Sequence, residues 1–76
     1  MKNNQERLLR IYHFSVKFDG SEMLFHGEYI TMSKDFVIIA KSELTKKLKV
    51  WKKQAKDVVS FEVYDNDRNV LFSWSK

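Results

Sequence analysis

Cysteine and proline are both missing from this chain of 76 residues, and glycine occurs only twice. Without thiols there is no disulfide to staple the fold and no thiolate to hold a metal. A reducing, cytoplasmic compartment is the simplest setting for such a sequence. The near-absence of proline and glycine argues against linkers and low-complexity tails, so one small domain over residues 1–76 is expected, with residues 1–7 as its only flexible piece. No run approaches the roughly 20 apolar residues that cross a bilayer. The opening MKNNQERLLR lacks the apolar stretch of a secretory signal. A chain this short lies near the lower limit for folding without a staple. Its core must come from apolar burial, which 43% hydrophobic residues, among them six Phe, three Tyr and two Trp, can supply.

What is present reads first as strands. RIYHFSVKF, residues 10–18, alternates with period two, placing Tyr12, Phe14, Val16 and Phe18 on one face. Asp19-Gly20 follows, a dipeptide preferred in two-residue type I′ hairpins. Residues 21–31 are then expected to return antiparallel. With that short turn, Phe18 faces Ser21, Phe14 faces Phe25, Gly27 lies under the Tyr12 ring and His13 meets His26.

FVIIAK, residues 36–41, fits two structures. Either Ser33 caps a long helix over 34–56, or Ser33-Lys34-Asp35 is a turn and FVIIA is a third strand. The long helix would put Phe36, Val37, Ala40, Leu44, Leu48, Trp51 and Ala55 on one side but turn Ile38 and Ile39 toward water. The β-branched run favours the strand. Ser42 then becomes the N-cap of a shorter helix, with Glu43 at its positive end. In both cases Leu44, Leu48, Trp51 and Ala55 form the core stripe of an amphipathic helix. Two strands close the chain, with Val59, Phe61 and Val63 on one face of the first and Val70, Phe72 and Trp74 on one face of the second. The turn formers Asp65 to Asn69 join them. The expected fold is α+β: a two-layer domain with an antiparallel sheet packed on one helix, in the order βββαββ, or ββαββ if 34–56 is a single helix.

Catalytic patterns are missing. The sequence holds no nucleophile elbow, no phosphate-binding glycine loop and no HExxH. A non-enzymatic protein without cofactor or metal is expected. His13 and His26, if opposite each other, could hold a metal or sense pH, but zinc wants further ligands and only Glu28 is near. Two surface histidines are the simpler account.

Charge carries the functional signal. Between Lys41 and Lys56 seven lysines face one acid, Glu43, a balance of +6; elsewhere seven bases face nine acids, a balance of −2. On a helical wheel Lys46, Lys49, Lys53 and Lys56 fall opposite the Leu44-Leu48-Trp51 stripe, Lys41 and Lys52 lie at its edge, and Lys47 flanks it on the other side. Crowding lysines without interleaved acids costs repulsion, which points to an anionic macromolecule as partner, bound through Lys41, Lys46, Lys49, Lys52, Lys53 and Lys56. Nucleic acid fits first, with weak sequence specificity because the face offers no base-reading side chain except Gln54 near its margin. Trp51 belongs to the core stripe rather than to base stacking. The alternative is a small inhibitor or adaptor that docks on another protein through Val50, Ile11, Leu71 and Tyr64. Ile38 and Ile39 would join that patch, or support homo-oligomers, if 36–39 were helical. A membrane surface ranks last, because the helix's apolar residues are needed inside.

Overall fold

The alternating segment forms β1, Arg10–Phe18, and it is the strand around which the domain is built. In the computed structural model, which describes residues 9–76, β1 pairs antiparallel with β2, Leu24–Thr31, on one side and with β3, Val58–Asp65, on the other. β4, Val70–Ser75, pairs antiparallel with β3, giving the sheet order β2-β1-β3-β4. The flexible segment expected over residues 1–7 lies outside the described residues. A central strand is shielded from both sides, so its inward side chains are among the most deeply buried: Phe14 and Val16 are 0% exposed and Phe18 is 1%, and Val63 on the other central strand, β3, is also 0%. Full burial of each contributes about 1.5–3 kcal/mol.

One helix, α1, Phe36–Trp51, packs mainly on β1 and β2. The domain is therefore a two-layer α+β structure in the order ββαββ. FVIIA is the first turn and a half of α1 and not a third strand, and the long helix stops at Trp51 rather than 56. The energies explain the first point. A β-branched or aromatic residue costs a helix at most about 0.7 kcal/mol, whereas burying one Phe or Ile returns about 1.5–3 kcal/mol. Phe36 stacks on Tyr12 at 4.9 Å, Ile39 packs against the core, and Ala40 is 0% exposed. Only Ile38, 67% exposed, is left to water. Ser42 and Glu43 consequently lie within the helix and cap nothing. The cap position is Asp35, whose side chain makes no capping bond; Thr31 Oγ1 and Ser33 Oγ instead accept the N–H groups of Ser33 and Asp35 and bend the chain from β2 into α1.

The β1–β2 connection is longer than a two-residue hairpin, because β2 begins at Leu24 and not at Ser21. Gly20 has φ +81°, but Asp19 does not share the positive φ that a type I′ turn requires. The Asp19 N–H is instead committed to the Asp57 carbonyl at 2.7 Å, alongside a bulge where β1 meets β3. Every pair predicted across the hairpin is shifted by two: Phe14 faces Gly27, Val16 faces Phe25, His13 faces Glu28 and Ser15 faces His26. An aromatic ring does cover the bare backbone of Gly27, but it is Phe14 and not Tyr12.

A second bulge, between β3 and β4, pairs Val70 with Tyr64 on the outer face. Only Phe72 and Trp74 of β4 therefore share the inner face of Phe61 and Val63. The bulge at β1 likewise places Val58, not Val59, against the core. In the turn Asp65 accepts from the N–H groups of Asp67 and Asn69 and from Asn69 Nδ2 at 2.9–3.1 Å. The Asn69 donors, with Asp67 behind them, hold its carboxyl below the ordinary range.

Candidate polyanion-binding surface

The lysines are positioned by the way α1 ends. Lys52 adopts the left-handed conformation, φ 60°, so the helix cannot continue. Its N–H bonds to the Lys49 carbonyl at 3.3 Å and that of Lys53 to Leu48 at 2.9 Å, the paired closure of a Schellman motif. Beyond it, Ala55–Asp57 form a 3₁₀ turn that leads into β3. Wheel positions assigned to Lys53, Ala55 and Lys56 therefore do not hold, and Ala55 is exposed rather than part of the stripe. Trp51, the last helical residue, is half-buried against Phe25 at 5.0 Å and Phe18 at 6.2 Å, which makes it a core residue.

The seven lysines divide by environment. Lys46 is exposed and shares its charge with Glu43 at 3.3 Å, an i,i+3 pair. Lys41 lies over the Phe72 ring at 5.5 Å, and Lys53 over both Phe18 and Phe25 at 5.6 Å. Such cation–π contacts are worth about 0.5–1 kcal/mol where exposed, so these two ammonium groups also help to lid the core. Lys47 is half-buried and lines a shallow cavity with His13, His26, Gly27, Glu28 and Tyr64. Lys49, Lys52 and Lys56 are exposed. Among the described residues none of the seven except Lys46 has a carboxylate within ion-pair distance. The exposed charges thus concentrate at the C-terminal end of α1 and the turn after it, where the helix dipole is negative. Lys41 belongs to the β4 side and Lys53 to the hairpin end, so the face is less uniform than a wheel implies.

On the opposite face of the sheet, His13 stacks on Tyr64 at 5.5 Å and its Nε2 donates to Asn66 Oδ1 at 3.0 Å. The shifted register pairs His13 with Glu28 and His26 with Ser15, so the two imidazoles are not opposite each other. Among the described residues no three His, Asp or Glu side chains are placed to hold a metal ion. Val50 and Ile38 are 71% and 67% exposed on α1, while Ile11 and Leu71 are 39% and 42% exposed. Ile39 does not join them.

Sequence reasoning missed one feature on the helix side. α1 covers the β1–β2 half of the sheet and leaves a groove beside β4, lined by Lys41, Leu44, Val58, Phe61, Phe72 and Trp74. The uncharged run VLFSWS was the available signal. No described helix is long and apolar enough to cross a membrane. Comparison with protein-family models, with curated proteins and with solved structures finds no match to the chain.

Proposed function

We propose that this chain is a non-enzymatic, cytoplasmic binding domain that grips the phosphate backbone of nucleic acid through the basic end of α1. Lys49, Lys52 and Lys56 make the principal contacts, with Lys41, Lys46 and Lys53 adding to the field. The observation that supports this most is that, among the described residues, no carboxylate lies within ion-pair distance of six of the seven lysines between residues 41 and 56. Like charges kept together without internal compensation are relieved by phosphates, whose released counterions drive association. The contacts are to backbone charge, so affinity depends weakly on base sequence.

Fluorescence anisotropy with a short duplex and a short single strand, titrated at several salt concentrations, tests this. Affinity should fall steeply as salt rises, and replacing Lys49, Lys52 and Lys56 by Gln should reduce the log–log slope on duplex DNA by about 2.7. Absence of binding at low salt, or a slope unchanged in a folded triple variant, overturns the proposal.

A second proposal, docking on another protein as inhibitor or adaptor, draws support from Ile38 and Val50, large apolar side chains exposed on the outside of α1. A stoichiometric partner retained from cell extract after nuclease treatment and lost on Ile38→Ser with Val50→Ser would favour it over nucleic acid.

A further inference from the structure

β4 is the edge of the sheet on the side that α1 leaves open. Its outer N–H and C=O groups have no neighbouring strand among the described residues, yet Val70–Ser75 contains no charge and no proline. Soluble proteins ordinarily blunt such an edge with lysine, proline or a covering element. The other edge, β2, is managed in that way: it carries exposed His26 and Glu28 and lies under α1. Trp74, on the inner face of β4, is 44% exposed beside the groove.

We propose that two copies of this chain associate through β4, antiparallel and centred on Ser73, to form one continuous eight-stranded sheet. Directly opposed residues of an antiparallel pair share a face, so this centre sets Phe72 against the partner's Trp74 and Trp74 against the partner's Phe72. Four rings then gather at the groove, which the described residues of each monomer leave open, with Lys41 already lying over Phe72 at the rim. The ends of the strand match in charge. Lys76, held beside β3 by its N–H bond to the Val59 carbonyl at 2.9 Å, comes next to the partner's Val70 and the turn before it. That turn carries Asp65, Asp67 and Arg68, a net negative charge, at both ends of the pair. The uncharged strand between brings no like charges together. The two-fold axis is perpendicular to the sheet, so both α1 helices end on the same side.

Sedimentation equilibrium of the intact chain, from low micromolar to near-millimolar concentration, tests the pairing. The expected mass is twice the 9.1 kDa of the chain. Ser73 is exposed on the outer face directly across from Glu62 of β3, so Ser73→Lys is made together with Glu62→Gln, which denies the new lysine a carboxylate within its own monomer. Against Glu62→Gln alone it should leave the thermal melt in place while it sets two ammonium groups on the axis, and it should weaken association at least tenfold. Since the chain has no cysteine, Ser73→Cys supplies a single thiol. Directly opposed strand residues lie about 4.5–5.5 Å apart at Cα, within disulfide reach, so oxidation should trap a covalent dimer, whereas Glu28→Cys on the other edge should not. A 9.1 kDa particle at every concentration overturns the proposal. So does a dimer indifferent to Ser73→Lys in the Glu62→Gln background, or equal cross-linking through Glu28→Cys. Nuclear Overhauser contacts between residues 1–8 and Trp74 in a monomer would give the groove to the chain's own N-terminal segment and overturn it as well. Neither Ser73 nor Glu28 belongs to the lysine set, so failure here is distinct from failure of nucleic-acid binding.

Discussion

The ring of Phe14 occupies the space where a side chain on Gly27 would stand. A Cβ added at Gly27 would collide with the Phe14 Cζ and lie 2.7 Å from Cε2. The ring has little room to give, because Phe14 is 0% exposed and packs between Tyr29 at 6.4 Å and Phe61 at 5.8 Å. Glycine is required at this position for a close approach, not for a turn.

Gly27→Ala is accordingly an overpacking substitution and should cost about 1–3 kcal/mol in urea denaturation. Shortening the ring with Phe14→Leu creates its own cavity, but in the Gly27→Ala background it also relieves the clash. The two changes should therefore be non-additive by more than about 0.5 kcal/mol. Strict additivity would show that the ring and the strand do not press on each other.

At the other end of the fold, Lys52 holds a left-handed backbone that costs an ordinary residue about 1–2 kcal/mol. Glycine there removes that strain but adds unfolded-state freedom worth about 0.5–1 kcal/mol. Lys52→Gly should leave a net gain of about 0.5–1 kcal/mol in folding stability, and Lys52→Ala none. A denaturant series on the three proteins checks the order, and a Gly variant no more stable than wild type would refute it.

The Tyr29 hydroxyl donates to the Phe36 carbonyl and ties β2 to the first turn of α1. Burial, with the nearby Tyr12 and then the Glu43 carboxylate acting in the same direction, pushes its pKa up to about 12 from an ordinary 10.0. The neutral phenol is the form that the fold accommodates. Its contribution is complete below pH 10, where both states are protonated, and is lost as pH rises from 10 toward 12, because only the unfolded chain then ionises freely. The melting temperature should fall across that window, and Tyr29→Phe should remove part of the fall while lowering stability at neutral pH by about 0.5–1.5 kcal/mol through the lost hydrogen bond. Ultraviolet titration of the phenolates should show one late group that disappears in the variant.

Local pattern made much of this architecture legible. Tyr12, Phe14, Val16 and Phe18 alternate as inward residues of a strand, and all four are buried. Leu44, Leu48 and Trp51 lie at helical spacing and face the sheet. What escaped were outcomes settled by contacts distant in sequence. FVIIA is locally a strand former, and only the sheet beneath Phe36, Ile39 and Ala40 makes it helical. The Asp19-Gly20 signal marks the turn correctly, and the Ser21 N–H does bond the Phe18 carbonyl at 3.1 Å, but strand pairing resumes only at Leu24, with the register moved by two. Both bulges belong to pairings that local sequence does not announce. For the lysines, the sequence displayed their number, whereas the rings beneath Lys41 and Lys53 emerge only from the tertiary packing.

The strand order also has a kinetic side. The hairpins β1–β2 and β3–β4 each join neighbours along the chain, but the seam between β1 and β3 first closes at Phe18 with Val58, forty positions apart. Closing so long a loop costs entropy before any contact across it forms. The β1–β3 seam thus carries the largest closure cost among the pairings of this sheet, and the folding rate is expected to be more sensitive to the length of that loop than to either hairpin.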